Sequence, residues 1–435
     1  KYYKGLGTST DKEIKECFGK KMVYFVNDEK SQQNMVKVFD KSQSDSRKTW
    51  LSEYDAKDTV INLNNHINPL TITDFLNKRL RSFSVYDCER SIPNIIDGLK
   101  TSQRKILFAI IKKGLTSQSK PMKVAQLGGY VAEQTNYHHG EQCLFDTIIK
   151  LAQSFVGSNN IPYLEEKGQF GCRNNGGKDA ASARYIYTRA HSILSKIYRK
   201  EDESILNYQY DDGQKIEPLF FLPIIPMILV NGCKGIGSGW STNIPNHNPI
   251  EIVNYILNWL EGDEKNKQTN ISLSPHYNKF TGRIVKVDEH TYTSYGTFTE
   301  EKKNIVITEL PVGEWTDTYK NKLETMIENK QIKRIKNYST KHTVKFVVKT
   351  DKKMDSKKLK LEKIIKTSNL VLFDKECRIT KYDTIASILN YFCKIRLQYY
   401  EKRKNALIVI YKKELQFKQN KKRFSDSSVR FLHLD

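Results

Sequence analysis

From Ala386 onward the chain places apolar side chains at Ile388, Phe392, Ile395, Tyr399, Ala406 and Val409, with no glycine or proline among them. The four-three rhythm, interrupted at Lys402, predicts one long helix with a heptad-like seam over residues 386–435. We read it as a coiled-coil arm; a single surface helix packed on its own domain is the plainer alternative. Upstream the period changes. Arg283-Ile-Val-Lys-Val, Asn304-Ile-Val-Ile-Thr and Val344-Lys-Phe-Val-Val are β-branched runs with partial alternation and predict strands. Helices at about Trp315–Asn329 and Ser356–Thr367 complete a mixed α/β region. Between Ser91 and about Tyr208 short helices alternate with glycine-rich turns. Within that stretch Glu141 to Phe155 reads as an amphipathic helix through Leu144, Ile148, Leu151 and Phe155. The polar segment from Met35 to Asn68, with Ser42, Ser44, Asp45 and Ser46, predicts a loop or linker. The fold class that follows is α/β multidomain, of the α+β kind.

Composition adds a class of partner. The 435 residues suffice for two or three domains with a core in each. Lys and Arg number 72 against 49 Asp and Glu, a net charge of +23. Such an excess suits a polyanion, nucleic acid first among them, although a solvated lysine-rich surface from an AT-biased genome gives the same count. No run of ~18 apolar residues occurs, so no membrane helix is expected. Lys1-Tyr-Tyr-Lys-Gly-Leu-Gly has neither an initiator Met nor an apolar signal segment, and reads as part of a longer protein. Seven cysteines lie far apart with no C-x-x-C pair, which excludes a zinc ribbon and favours a reducing compartment.

Four segments carry candidate chemistry. Gly176-Gly-Lys178-Asp-Ala-Ala-Ser-Ala-Arg184-Tyr185 ends with an arginine beside a tyrosine. A phenoxide attacks phosphodiesters and is also a competent leaving group, so the bond energy can be held as phosphotyrosine and returned. With a solution pKa of about 10 the hydroxyl needs a base or a cation nearby, and Arg184 can supply that field and hold the phosphate. Alone, Arg-Tyr is a weak signal among 24 tyrosines. Tyr137-His138-His139-Gly140-Glu141 sets two histidines before a helix, where they could contact phosphate or shuttle protons, or be structural. Glu89-Arg90 leads through Asp97-Gly-Leu-Lys100 to Arg104-Lys105, basic groups at the start of a helix that Thr101 or Ser102 can cap. Asn231-Gly-Cys-Lys-Gly-Ile236-Gly-Ser-Gly-Trp240 surrounds one isoleucine with glycines, as a wedge for a base step or as an ordinary hairpin.

Taken in order, these segments resemble the eukaryotic-type (type IIA) DNA topoisomerase II. Arg90-Ser-Ile-Pro93, Lys123-Val-Ala-Gln-Leu127, Gly157-Ser-Asn-Asn160, Leu222-Pro-Ile-Ile-Pro226 and the opening Lys1–Ser9 share the likeness, which covers nearly the whole chain and weakens after Gly262. It implies the cleavage–reunion core of an ATP-dependent enzyme, a homodimer on double-stranded DNA. Residues 1–70 would be the tail of a TOPRIM domain, 71–208 a winged-helix domain, 209–385 a tower domain and 386–435 the start of a coiled-coil arm. The resemblance makes Tyr185 the nucleophile of a 5′-phosphotyrosyl link, Arg184 its transition-state partner and His139 a further catalytic candidate. Arg90, Lys100, Arg104, Lys105, Lys123, His138, Lys178, Lys394, Arg396, Lys402 and Arg403 would contact DNA. Ile236 would intercalate and bend it.

The resemblance also implies Mg²⁺ held by ligands upstream of Lys1 and an ATP site outside the chain, so the isolated fragment is expected to be inactive. Glu261-Gly-Asp263 is similar to the family's metal-binding triplet but stands too late in the chain to serve, and no metal ligands are expected here. A cellular protein of this kind would work in the nucleus, a viral one in the viral factory, host cytoplasm or virion. A DNA-bending architectural module that binds without cleaving is the alternative. A tyrosine recombinase fits less well, since it surrounds its tyrosine with a scattered Arg-His-Arg set and forms the opposite, 3′-linked adduct.

Overall fold

The computed structural model describes residues 10–17, 23–55, 57, 69–262, 273–301 and 304–431, with side chains to 425; the Lys1–Ser9 motif and Asp263 lie outside them. The chain divides into two compact units. The first holds residues 1–92 together with 236–241, the second 93–235 with 242–435. The boundary expected near residue 70 thus falls inside the first unit.

In the first unit the polar stretch expected to be a loop carries two helices, α1 (Ser31–Phe39) and α2 (Ser44–Ser52). Its serines are not loop markers. Ser42 donates its backbone N–H to Asp40 Oδ1 at 2.7 Å, an Asx turn that opens the short bend between the helices. Trp50 and Leu51 are buried, and the Trp50 indole donates to Asn77 Oδ1 at 2.8 Å. A longer helix, α3 (Arg81–Ser91), follows, and Phe25–Val26 pairs parallel with Leu70–Thr71 in the same unit.

The second unit has two hydrophobic cores. The first gathers α4 (Thr101–Lys113), α5 (Val124–Thr135) and α6 (Glu141–Ala152), the buried Phe220–Val230 stretch and α7 (Pro249–Glu261). Neither Thr101 nor Ser102 caps α4. Lys100 stands at the cap position, and its backbone N–H donates to Gln103 Oε1 at 2.9 Å. The helix closes on Gly114 (φ 66°), where Leu115 N–H reaches back to Ile110 O at 3.1 Å. α6 stops at Ala152, one turn short of Phe155, which packs edge-on to Trp315. α7 was not anticipated, although Pro249 at its start and Asn248 accepting from Ile250 N–H are standard openings.

The second core lies under a mixed α/β module. A four-stranded antiparallel sheet is led by Thr297–Glu301 and Asn304–Glu309 and continued by Phe346–Lys349 and Arg334–Asn337. Helix α8 (Thr316–Glu328) buries Tyr319, Leu323 and Met326 against this core. A three-stranded sheet joins Arg283–Lys286, Thr291–Tyr295 and Glu362–Lys366. A turn over residues 356–360 and the last of these strands stand where a helix was expected at Ser356–Thr367. Leu359, in that turn, and Leu361 are both fully buried, and Lys360 (φ 54°) closes the turn before the strand begins at Glu362.

The long helix is present as α9 (Ile385–Phe431), 47 residues without a break. Its seam does two things. Ile388, Phe392 and Ile395 are buried in the first core of their own unit, as the plainer alternative required, whereas Val409, Tyr411, Leu415 and Phe417 are exposed.

Candidate active site

Arg184 and Tyr185 occupy a turn that is fastened on both sides. Ala183 and Ile186, flanking the pair, are buried, while Tyr185 is 68% exposed. Strand β1 (Met122–Lys123) pairs antiparallel with β2 (Tyr187–Thr188), which sets Lys123 opposite Tyr187. On its other side Tyr187 exchanges both backbone hydrogen bonds with Lys167, at 2.9 and 3.1 Å. Helix α5 starts directly after β1, so its first amides have no partners inside the helix. Val124 N–H donates to Ile186 O and Ala125 N–H to Ala183 O, each at 3.0 Å. The tyrosine's turn is therefore clipped to a helix N-terminus, with the positive end of the helix dipole beneath it. Gly168 (φ 114°) lets the neighbouring strand approach: a Cβ there would stand 2.9 Å from Ile186 Cγ2. The Arg184 guanidinium lies 5.2 Å from the centre of the Tyr185 ring, and no carboxylate among the described residues pairs with it. An unpaired cation beside an exposed phenol suits a phosphodiester.

The loop before this turn is tightly closed. The Gln153 amide donates to Phe170 O at 2.8 Å and to Gly177 O at 3.1 Å. Asp179 accepts from the Cys172 N–H and Sγ, each at 3.0 Å. Burial raises the Asp179 pKa, but the hydrogen bonds it accepts, from Cys172 first, from its own backbone and from Gln169, together hold the carboxyl below its ordinary value. Sequence reading missed Gln153, Cys172 and Asp179 as supports. The Gly176-Gly-Lys-Asp motif was visible, but nothing in it says which way Asp179 turns.

The expected DNA contacts divide into two groups. Lys123 is half-buried beside the turn, and Lys178, Lys394 and Lys402 are exposed, Lys402 over the Tyr399 ring at 4.6 Å. Lys100 donates to Lys234 O at 2.9 Å. Four others are turned inward. Arg104 is 7% exposed and grips the fully buried Asp97 through Nε at 2.7 Å and Nη2 at 3.0 Å. Lys105 is held between Glu217 and Thr135 O. Arg396 and Arg403 both reach the buried Asp202, Arg396 at 2.6 Å, fastening α9 to the Lys200–Ile205 turn. Arg104, Lys105 and Arg396 thus each have a carboxylate partner inside the protein, whereas the partly exposed Arg403 shares Asp202 with Arg396 at 3.5 Å.

His138 and His139 follow the far end of α5, with about 18 Å of helix between that end and the Tyr185 turn. His138 Nε2 is 3.7 Å from Asp211, an ion pair when the ring is protonated, and His139 packs edge-on to Tyr137. The structure does not bring His139 to Tyr185 within one chain. Within the first unit, Arg90 is exposed over the Tyr86 ring. Ile236 is 77% exposed, which excludes a core role. Its glycines explain this. A Cβ on Gly237 would stand 3.1 Å from Cys88 Cα, and Gly239 has φ 75°, so the loop packs closely and Ile236 stands clear. Among the described residues no three His, Cys, Asp or Glu side chains converge as a metal site.

Comparison with known proteins places the whole chain. The family of the DNA gyrase/topoisomerase IV A subunit matches residues 90–430, and the C-terminal associated domain of TOPRIM matches residues 1–88. DNA topoisomerase 2 of Invertebrate iridescent virus 6 is 45% identical over 98% of this chain and 38% of its own length. For DNA topoisomerase 2 of Arabidopsis thaliana the values are 43%, 98% and 29%. The crystal structure of the Plasmodium falciparum topoisomerase II DNA-binding, cleavage and re-ligation domain matches with a TM-score of 0.87 and 39% identity, over 100% of this chain and 60% of that one. The chain spans about a third of the length of these curated relatives.

Proposed function

The chain belongs to the family of the DNA gyrase/topoisomerase IV A subunit, as the cleavage–reunion region of a type IIA DNA topoisomerase II, and we propose that it forms the DNA gate of such an enzyme. The observation that carries this reading is the exposed Tyr185 on a clipped turn with an unpaired Arg184 over its ring. In a homodimer each Tyr185 attacks one strand of a bound duplex. The phenolic oxygen bonds to phosphorus as the 3′ oxygen leaves, giving a 5′-phosphotyrosyl link. A second duplex passes, and the 3′ hydroxyl then reverses the attack and frees the tyrosine. Arg184 opposes the charge that builds on the phosphate. Residues from about 93 to 208 act as a winged-helix domain, 209–385 as a tower and the exposed part of α9 as an arm; the TOPRIM-associated match over residues 1–88 supports a TOPRIM tail before them.

Mg²⁺ and ATP belong to the reaction of the whole protein. Among the described residues no three His, Cys, Asp or Glu side chains converge. The half-buried Lys123 and the exposed Lys178, Lys394 and Lys402 supply a track for the DNA backbone. An architectural module needs no unpaired arginine against an exposed tyrosine. The test is Tyr185→Phe in the full-length protein, which keeps the ring and loses the nucleophile. Supercoil relaxation should vanish while DNA affinity stays within about twofold; a Phe variant that still relaxes DNA overturns the reading.

A further inference from the structure

The loop that leads into Arg184-Tyr185 is held from two sides. On one side Gln153, at the end of α6, takes hold of Phe170 O and Gly177 O. On the other side the hold comes from the β-rich module, a separate hydrophobic core more than a hundred residues further along the chain. Glu309 closes one strand of that module and is 2% exposed. One carboxylate oxygen accepts from Arg173 Nη2 at 2.5 Å and from Leu310 N–H at 2.8 Å. The other accepts from the Thr281 N–H and hydroxyl, at 3.2 and 3.0 Å. Next along the module, Trp315 lies against the loop. A Cβ on Gly176 would stand 2.4 Å from the indole Cε2, and one on Gly157 3.4 Å from Cη2. Asp317 N–H then donates to Asn174 O at 3.1 Å. Arg173, Asn174 and Gly176 are thus engaged one after another by Glu309, Asp317 and Trp315.

From this contact the path to the tyrosine is short and stiff. Gly177 N–H donates to Cys172 O at 2.8 Å, Asp179 folds back onto Cys172, and Ala181 N–H donates to Gln169 O at 2.9 Å. Ala183 O is then fixed by α5. A shift of the module at Arg173 would move the leading side of the Arg184-Tyr185 turn while β2 holds its trailing side.

We propose that Glu309, Trp315 and Asp317 form a latch through which the β-rich module sets the placement of Arg184 and Tyr185, making Glu309 and Arg173 positioning residues for strand cleavage. The latch rests on the reading of Tyr185 as the nucleophile. It touches no reacting atom; it aligns those that react. A misplacement of the nucleophile by an ångström costs about a hundredfold in rate, whereas the surfaces that bind DNA are left in place.

The test uses the full-length protein and single-turnover cleavage of a short duplex. Glu309→Gln keeps shape and loses the charge, and Arg173→Met keeps a long unbranched side chain and loses the Nη2 bond to Glu309. Both are expected to cleave at least tenfold more slowly at saturating DNA, with DNA affinity within about twofold of the parent. Amide exchange at residues 181–186 should quicken in the folded variants. Parent-like cleavage in both single variants overturns the latch, as does a rate loss matched by an equal loss of DNA affinity. Should one single variant fail to fold, the other decides between the same two outcomes. The parent serves as the control. If it forms no Tyr185-linked adduct, the reading of the site fails first, and the latch with it; an adduct in the parent with unslowed variants defeats the latch alone.

Discussion

Arg104 and Lys100 look alike in the sequence, four residues apart at the start of one helix, and the structure separates them completely. Asp97 is fully buried and accepts from Arg104 Nε and Nη2 and from the Leu99 and Phe221 amides, both at 3.0 Å. Arg104→Ala would leave that carboxylate in the core with only its two amides. Breaking a buried pair in this way costs about 3–5 kcal/mol, and the surviving amides place this case near ~3. Lys100→Ala removes a side chain bonded only to Lys234 O, a change of under ~0.5 kcal/mol. Urea unfolding reads the first effect, and the salt dependence of duplex binding the second. Each lost phosphate contact lowers the slope of log K against log salt by about 0.9. Arg104→Ala should unfold at clearly lower urea with the parent's slope; Lys100→Ala should do the reverse. An Arg104→Ala protein with unchanged stability and a slope reduced by about 0.9 would refute the assignment of the two roles.

Other expectations follow from the same kind of accounting. Ile236→Ala should leave the melting midpoint unchanged, since the side chain is 77% exposed, and should straighten a bound duplex in an end-to-end fluorescence-transfer assay; a large fall in midpoint with normal bending contradicts it. Asp202→Asn should free α9 from its two arginines at a cost of ~3 kcal/mol or more, seen as faster amide exchange over residues 385–403; unchanged protection would show that the ion pairs are dispensable. His247 is fully buried, and desolvation lowers its pKa from 6.5 to about 4. The unfolded chain therefore takes up the proton first. The stabilising share of His247 is complete above about pH 6.5 and is lost as pH falls toward 4, roughly 3 kcal/mol in all. Urea titrations of His247→Gln should show a flatter pH dependence across that window, and an unchanged one would contradict the assignment.

The long helix and the strands at Arg283 and Asn304 were legible because their periods are set by one dominant burial pattern. Ser356–Thr367 was not, because Leu359, Leu361, Ile364 and Ile365 satisfy a helical and an extended spacing almost equally; pairing with Thr291–Tyr295 decides it, and that partner lies some seventy residues away. The helices at Ser31 and Ser44 were hidden by serines that serve as turn and surface residues. For the site, motif order identified Tyr185, Arg184 and Ile236, and their exposure agrees with the roles proposed. The burial of Arg104, Lys105, Arg396 and Arg403 could not be read locally. Each is matched by a carboxylate distant in sequence or on an unseen face, and a basic residue that meets phosphate is indistinguishable in sequence from one that meets Asp202.

The central claim is that Tyr185 forms the covalent link to DNA. It is tested most directly by trapping the full-length protein on a duplex with denaturant, digesting with trypsin and nuclease, and sequencing the modified peptide. The account predicts a nucleotide attached through its 5′ phosphate to the tyrosine that follows Arg184, and none in Tyr185→Phe. A nucleotide on any other residue, or one joined through its 3′ phosphate, would contradict it.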